Sequence, residues 1–325
     1  MVKDAVSGSL KPFNFDNLLK QIPQLEAINA EIDTYSIPNP KDSADMHPED
    51  WQFLGNKIND EYNNYDGFIV LHGTDTMAYT ASALSFMFQN LSKPIILTGS
   101  QLPVGDIRTD ALENVLTAIQ IALLQNENKP LINEVGIYFD NQLLRGNRTI
   151  KISSEAFDAF SSPNYPALVT SGVSLKTNKN ALWKLDKSKS VKFISGFDQN
   201  VFVLKIHPGL TEKMFQQFTN AVDFKVLILE SYGSGTLFTA NWLLKSIKKL
   251  IECKKIVINC SQCIKGSVEQ GIYTTSEYLN SLGVISGKDI TTEAALIKSM
   301  HLLAENLKYD EFKIAFKSSI SGEIS

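Results

Sequence analysis

The sequence predicts an α/β protein with two domains, a larger N-terminal domain built on a parallel or mixed sheet and a smaller C-terminal α/β domain. Two observations lead to this prediction. From Asp66 onward, short continuous apolar runs alternate with amphipathic helical patterns, which is typical of parallel strands covered on both faces. After residue 175 a stretch rich in Lys, Asn and Ser interrupts the alternation, which then resumes.

The elements of the first domain follow in order. The run "GFIVLHG" predicts a strand before the helix "MAYTASALSFMFQN", and "PIILTGS" predicts a second strand before the helix "DALENVLTAIQIALLQ". A further strand, "EVGIYF", comes next. We assign residues 1–180 to this larger N-terminal α/β domain and residues 181–197 to the connection.

The second, smaller α/β domain is assigned to residues 198–325. Its predicted strands are "NVFVLKI", "KVLILES" and "KIVINCSQC", with "NWLLKSIKKLIE" as a helix between the last two. Two more helices are predicted around Thr292–Glu305 and Tyr309–Ser318. At the other end of the chain, "MVKDAVSGS" has no strand pattern and predicts a loop over Val2–Ser9.

Composition excludes several classes of protein. The 325 residues carry a formal net charge of −4, which argues against a nucleic-acid partner, because binding to phosphate backbones depends on clustered Lys and Arg. No apolar run approaches the roughly 20 residues that cross a bilayer, so no membrane partner is expected. Three cysteines are too few for a disulfide scaffold, which favours the cytoplasm.

No metal or cofactor is expected from the Cys and His residues. Cys260 and Cys263 form a C-x-x-C at a strand end, but no second Cys or His pair stands at metal-ligand spacing. Buried or loop thiols are the better interpretation. His72 is expected to pack or to orient the neighbouring turn.

The strongest functional signal is the polar turn in "IVLHGTDTMAYTASALSFM". Residues His72 to Thr76 lie between a buried strand and the start of a helix, where open α/β sheets bind ligands and the helix N-terminus offers free N–H groups. In the alternative interpretation Asp75 or Thr76 is only an N-cap and Gly73 only a tight turn. That alternative explains one polar residue but not four in a row.

Two weaker motifs accompany this turn. "LTGSQLP" is again a strand running into a Gly-Ser turn, and its Ser100 would share a sheet edge with Thr74. "DSADMHPEDW" contains Ser43 and Asp45, either of which could cap the helix that Pro48 opens, and capping is the expected single role of Asp45.

A third motif, "LLRGNRTIK", holds Arg145, Arg148 and Lys151. Most such basic clusters are solvated faces. A lysine close to an Asp and a Thr hydroxyl could instead act in proton transfer if desolvation lowered its pKa. Sequence spacing leaves both interpretations open.

Together, "HGTDTMAYTASALSFM", "TGSQLP", "DSADMHPEDW", "RGNRTIK" with "FDAFSSPN", and "INCSQC" resemble the bacterial-type L-asparaginases, specifically the cytoplasmic type I branch. The resemblance covers nearly the whole chain in order. It implies a two-domain asparaginase-like α/β fold, a homodimer or homotetramer, and hydrolysis of L-asparagine to aspartate and ammonia without metal or organic cofactor.

The resemblance also implies roles for individual residues. Thr74 matches the second of the family's two catalytic threonines, with Asp75 and Lys151 completing a Thr-Lys-Asp triad. Ser43 matches the residue that holds the substrate α-carboxylate, and Asp75 also pairs with the α-ammonium group. Ser100 matches a backbone contact near the amide. The remaining substrate-loop residues are the two neighbours of Ser43, Asp42 and Ala44.

The family's first catalytic threonine lies in a TGGTIGM segment, and Met1 matches the last residue of that segment. We therefore expect a strand and a threonine to precede Met1, missing here through a misassigned start or truncation. Without them, residues 1–325 are expected to aggregate and to show no turnover. Two alternatives remain: a non-catalytic binder of asparagine or aspartate, and an amidotransferase subunit that acts on misacylated tRNA.

Overall fold

The computed structural model describes residues 2–3, 10–11, 23–221, 223–269 and 274–325. The chain divides into a larger unit, residues 1–193, and a smaller unit, residues 194–325. This division falls inside the segment 181–197 that the sequence assigns to the connection. The first part of that segment still belongs to the larger unit, since Lys192–Phe193 pairs with Phe88–Gln89.

The larger unit contains short strands, helices and 3₁₀ turns. Its strands are β1 Val2–Lys3, β2 Leu10–Lys11, β3 Phe68–Leu71, β4 Phe88–Gln89, β5 Ile95–Thr98, β6 Gln125–Asn126, β7 Lys129–Pro130, β8 Val135–Phe139, β9 Gln142–Arg145, β10 Ile150–Lys151, β11 Phe160–Ser161, β12 Val169–Thr170, β13 Lys176–Thr177 and β14 Lys192–Phe193. Its helices are α1 Pro48–Asp60, α2 Met77–Met87 and α3 Ala111–Ala122, and its 3₁₀ turns are Pro23–Ala27, Ser43–Asp45 and Gly146–Arg148.

The main sheet of the larger unit has the strand order β13-β12-β9-β8-β5-β3 and is mixed. Strands β3, β5 and β8 are parallel, whereas β9, β12 and β13 are joined by antiparallel pairs. Leu71 pairs with Thr98, so β3 and β5 end side by side. The turns that follow these two strands therefore start at the same edge of the sheet.

Helix α2 is almost wholly buried inside the unit. Besides apolar side chains it carries small hydroxyl residues, which donate hydrogen bonds to carbonyl groups of the same helix. Ser82 and Ser85 donate to the carbonyls of Ala78 and Ala81, at 2.8 and 2.7 Å, so they can be buried without unpaired groups. A β-carbon at Gly146 would lie 2.9 Å from Ala81 Cβ. This close approach fixes the turn before β10 against α2.

The smaller unit is a parallel sheet of order β15-β16-β17-β18 with helices packed on it. Its elements are β15 Val201–Lys205, α4 Glu212–Ala221, β16 Val226–Ser231, α5 Asn241–Glu252, β17 Ile256–Ser261, α6 Thr274–Leu282, β18 Ile285–Ser286, α7 Thr292–Ala304 and α8 Tyr309–Lys317. The predicted helices around 292–305 and 309–318 are confirmed. No helix within the described ranges is long and apolar enough to span a bilayer.

The start of the chain differs from the prediction. Val2–Lys3 and Leu10–Lys11 form an antiparallel pair, so the predicted loop is wrong for Val2 and Lys3. A two-residue pairing has too little alternation to be recognised in a single sequence. The rest of the predicted loop, residues 4–9, and Met1 lie outside the described residues.

Candidate active site

The turn after β3 carries the polar residues that the sequence singles out. The His72 backbone N–H donates to the Thr98 carbonyl at 2.9 Å and extends the β3–β5 pairing by one residue. Thr76 then occupies the N-cap position of α2, but its hydroxyl donates to the Ser43 carbonyl at 2.6 Å and makes no cap bond. The interpretation of this turn as a simple helix cap therefore does not describe Thr76.

The side chain of Lys151, in strand β10, contacts this turn. Its Nζ donates to Thr74 Oγ1 at 2.8 Å and to Asp75 Oδ1 at 2.6 Å. The Lys151 side chain is 19% exposed and that of Asp75 is 61% exposed. The three residues are thus within side-chain reach of one another, as predicted from the sequence, and the group is open to a ligand. Lys151 itself lies in β10 and not in a loop.

The two arginines of the same motif are buried, with Arg145 3% and Arg148 2% exposed, so the interpretation as a solvated face is wrong for both. Arg145 Nε donates to Glu134 Oε2 at 2.5 Å, and its Nη2 donates to the Ala181 carbonyl. The Arg145 guanidinium also stacks on the Tyr165 ring. These contacts hold the end of β9, from which the chain continues through a 3₁₀ turn to Lys151.

The loop of residues 42–45 packs directly against the polar turn. Asp42 accepts the Ala44 N–H at 3.1 Å and so closes the 3₁₀ turn that contains Ser43. Ser43 is only 4% exposed, and a β-carbon at Gly73 would lie 2.5 Å from its Oγ. The structure therefore brings the side chain of Ser43 against the backbone of Gly73 and leaves no room for a side chain at position 73.

The predicted capping role of Asp45 is wrong. Helix α1 has His47 as its N-cap and Pro48 as its first residue, and Asp50 accepts the His47 backbone N–H at 2.8 Å. Asp45 lies in the preceding 3₁₀ turn instead. The carboxylate of Asp50, five residues after Asp45 and inside the helix, accepts the N-cap N–H group instead, and both aspartates stand near the helix start in the sequence.

The Ser100 loop is anchored by α3. Asn114 Nδ2 donates to the Gly99 carbonyl at 2.9 Å, and the Asp110 carboxylate accepts the backbone N–H groups of Gln101 and Leu102, each at 3.1 Å. A β-carbon at Gly99 would lie 2.2 Å from the His72 carbonyl oxygen. Ser100 thus follows directly on the contact between the two strand-end turns, and it is half-buried.

Asp110 and Asn114 were missed as site residues by the sequence analysis. They stand four residues apart at the start of a predicted helix, a spacing that places both side chains on one face and within reach of the turn that precedes it. From this spacing, the two polar residues at the helix start could have been recognised as the anchor of the preceding loop.

Within the part of the chain that the structure describes, no three His, Cys, Asp or Glu side chains stand together as a metal site. Cys260 is buried, and this burial, reinforced by the nearby carboxylates Glu230 and Glu293, raises its thiol pKa to about 12. Cys253 and Cys263 are exposed free thiols.

The chain thus combines a two-domain α/β fold with a site formed by a strand-end turn, a helix N-terminus and a hydroxyl that contacts a lysine. Such a site is typical of a hydrolase. Two family models match the chain: "Asparaginase, N-terminal" over residues 1–183 and "Glutaminase/Asparaginase C-terminal domain" over residues 200–316. The chain therefore belongs to the asparaginase family.

Individual relatives agree with this membership. The chain is 41% identical over 285 residues to L-asparaginase 1 of Escherichia coli (strain K12), covering 87% of this chain and 82% of the relative. Among solved structures, L-asparaginase I from Vibrio cholerae is 39% identical with a TM-score of 0.87, over 100% of this chain and 96% of that one. The thermostable L-asparaginase from Thermococcus kodakarensis is 30% identical with a TM-score of 0.89, over 99% and 94%.

Proposed function

We propose that this protein hydrolyses L-asparagine to L-aspartate and ammonia by threonine-based nucleophilic catalysis, with Thr74, Lys151 and Asp75 as a triad. The observation that carries the proposal is the contact of one lysine with both a hydroxyl and a carboxylate, at 2.8 and 2.6 Å. Relatives named L-asparaginase, alike over most of their length, support the choice of substrate.

The triad supplies the proton transfer that amide hydrolysis needs. Lys151 in its neutral form takes the proton from Thr74 Oγ1, and the Asp75 carboxylate stabilises the ammonium that forms. The Thr74 oxygen then either attacks the carboxamide carbon or takes the proton from another attacking hydroxyl. Lys151 returns the proton to the amide nitrogen as the C–N bond breaks, which releases ammonia and leaves an ester on the attacking residue. Water then hydrolyses this ester and releases aspartate. The N-terminus of α2 offers partial positive charge to the developing oxyanion.

The same loops offer partners for an amino-acid zwitterion. We assign the α-carboxylate of the substrate to Ser43, with Asp42 and Ala44 shaping its loop, and the α-ammonium group to Asp75. Asp75 suits an ammonium ligand because its carboxylate is 61% exposed while Oδ1 is held by Lys151. Ser100, beside Gly99, is assigned to the amide end of the substrate.

The wider assignment follows the family. We propose a cytoplasmic enzyme that needs no metal or organic cofactor, acts as a homodimer or homotetramer, and binds neither nucleic acid nor membrane. A formal net charge of −4 supports the absence of a nucleic-acid partner. Light scattering of purified protein gives the oligomer size, and dialysis against a chelator should leave the turnover unchanged.

Ammonia release from L-asparagine tests the proposal. It is measured for residues 1–325 and for a form extended at the N-terminus by about fifteen residues that carry a Gly-Gly-Thr. In the active form, Thr74→Val should lower turnover by about 10²-fold or more, while the matched change Thr170→Val, at an exposed residue of β12, should leave it unchanged.

The comparison of the two forms separates the remaining possibilities. Activity of both forms would make Thr74 the attacking residue, and activity of the extended form alone would place the attack on the added threonine. Absence of turnover in both forms, with L-aspartate still bound in calorimetry, would identify a non-catalytic binder and defeat the proposal. Ammonia release that requires misacylated tRNA would identify an amidotransferase subunit.

A further inference from the structure

His72 connects the loops of the candidate site, although no step of the proposed chemistry uses it. Its backbone N–H donates to Thr98, the last residue of β5, and its carbonyl oxygen lies against Gly99. Its imidazole Nδ1 is 2.7 Å from the Gly73 carbonyl oxygen, and Nε2 is 2.9 Å from Thr80 Oγ1. One residue therefore contacts both strand-end turns and helix α2.

The direction of each hydrogen bond follows from which atoms carry protons. The Gly73 carbonyl can only accept, so His72 Nδ1 must carry its proton. A neutral imidazole then has no proton on Nε2, which accepts from the Thr80 hydroxyl. Trp51 Nε1 can only donate, and it donates to Thr80 Oγ1 at 3.1 Å. The result is a chain of donors from Trp51 through Thr80 and His72 to Gly73.

The surroundings of the ring keep this arrangement in place. Burial lowers the pKa of His72, which favours the neutral ring that the chain requires. Trp51 and Thr80 are buried at 6% and 0% exposure, so water does not compete for their polar atoms. The contacts of the two ring nitrogens thus determine the tautomer.

The backbone of the turn at Gly73 needs a contact that holds its conformation. Ser43 approaches so closely that position 73 has no room for a β-carbon. Glycine is the most freely rotating residue in a chain, and here it directly precedes Thr74. The hydrogen bond from His72 to its carbonyl holds the peptide that leads into Thr74 and Asp75.

We infer that His72 is a positioning residue, whose Nδ1–H holds the Gly73 carbonyl and thereby aims the Thr74 hydroxyl and Asp75 carboxylate at Lys151. This inference rests on the proposed function. A displacement of about 1 Å at a reacting group lowers turnover by about 10²-fold, so loss of the bond should act mainly on kcat.

Two substitutions separate this role from simple packing. In His72→Asn the amide nitrogen takes the place of Nδ1 and can still donate to Gly73, whereas in His72→Gln the amide reaches the place of Nε2 and that donor is lost. We expect His72→Gln to lower kcat by about 10²-fold and His72→Asn to recover at least about tenfold of the loss. Melting temperatures should be similar, and the exposed His207→Gln is the control.

Wild-type turnover is measured first, since its absence would defeat the proposed function and not this inference. In that case the same comparison is made on the affinity for L-aspartate. Equal impairment of His72→Asn and His72→Gln, or an unimpaired His72→Gln, would overturn the positioning role. If neither variant folds, ¹⁵N spectra of the unsubstituted protein decide: a proton on Nδ1 at neutral pH is expected, and a proton on Nε2 would overturn the inference.

Discussion

Each of the two units contains a lysine–carboxylate pair. The distances from Nζ to the carboxylate oxygen are nearly the same in the two pairs, but the surroundings of the pairs differ. Lys151 and Asp75 are 2.6 Å apart with side-chain exposures of 19% and 61%, whereas Lys298 and Glu323 are 2.5 Å apart and both 0% exposed. The charges and the separation are shared, so any difference in what the pairs do comes from the groups around them.

The buried pair is saturated with hydrogen bonds. Lys298 also donates to the carbonyls of Phe316 and Ser318, which uses all three ammonium protons, and Glu323 accepts the backbone N–H groups of Ile320 and Ser321. Burial lowers the pKa of Lys298, and Glu323 opposes that shift. Such a pair holds the C-terminal segment against α7 and α8, and no atom of it is open to a substrate.

The largest expected effect comes from breaking the exposed pair. Lys151→Met should lower kcat for L-asparagine by about 10²–10⁴-fold, because the proton acceptor for Thr74 is lost. Its melting temperature should change little, since a partly exposed ion pair contributes at most about 1 kcal/mol. Ammonia release and thermal unfolding are measured together, in whichever form of the chain is active.

The matched control is Lys248→Met, which removes an exposed lysine 3.8 Å from Glu252 and should change neither quantity. Normal kcat in Lys151→Met, or a loss that parallels unfolding, would contradict the catalytic role.

The second effect comes from breaking the buried pair. Lys298→Met should lower the free energy of unfolding by about 3–5 kcal/mol, because Glu323 is left buried without its charge partner. The kcat per folded molecule should stay near the wild-type value. Urea denaturation and active-site titration give the two quantities.

The double variant Lys298→Met with Glu323→Gln tests whether the unpaired charge of Glu323 causes the loss of stability. It should regain part of the lost stability, because a neutral amide no longer needs a cation and can still accept backbone N–H groups. If it were less stable than Lys298→Met alone, the uncompensated charge would not be the source of the loss.

Much of the exposed pair was predictable from the sequence, and little of the buried pair was. Thr74 and Asp75 stand where a buried strand gives way to a helix, and such positions gather at one edge of a parallel sheet. Lys298 lies in a predicted helix, but its partner Glu323 is twenty-five residues away in a segment without periodicity. Local patterns do not encode such a contact. The same holds for the side-chain hydrogen bonds that connect Trp51 to His72 through Thr80.

Some missed elements did have a local signal. Strand β9 follows β8 through Asp140 and Asn141, whose φ angles of +43° and +63° form a tight hairpin turn. The sequence "YFDNQLLR" shows the two turn-forming residues between apolar runs, which is a hairpin pattern. Recognising it would have predicted the antiparallel β9, and hence a route by which Lys151 returns to the sheet edge.

A smaller effect is expected from pH, through a buried group that must stay neutral. The described contacts of His72 are with uncharged groups, and its pKa is lowered by burial, against the opposite effect of the Gly73 carbonyl. The unfolded residue titrates near pH 6.5. Below that pH the unfolded chain takes up a proton before the folded chain does, so stability falls as the pH drops from about 6.5 through the lowered pKa.

Urea denaturation between about pH 8 and pH 5 measures this slope. His72→Asn should have a shallower slope because it cannot titrate, and His207→Asn should match the wild type. Equal slopes for wild type and His72→Asn would show that His72 does not set this dependence.

The smallest effect extends the comparison of buried and exposed groups to the thiols. Cys253 and Cys263 are exposed, whereas Cys260 is buried with its pKa raised to about 12. Only a thiolate reacts readily with a disulfide reagent, so the native protein should titrate two thiols quickly and the third only after unfolding in urea. The variant with both Cys253→Ser and Cys263→Ser is the control and should show no fast thiol.

Rapid reaction of all three thiols in native protein, or of the remaining thiol in this variant, would show that the end of β17 opens to solvent and that burial does not protect Cys260. Turnover should be unaffected by the modification, because neither exposed cysteine belongs to the proposed triad.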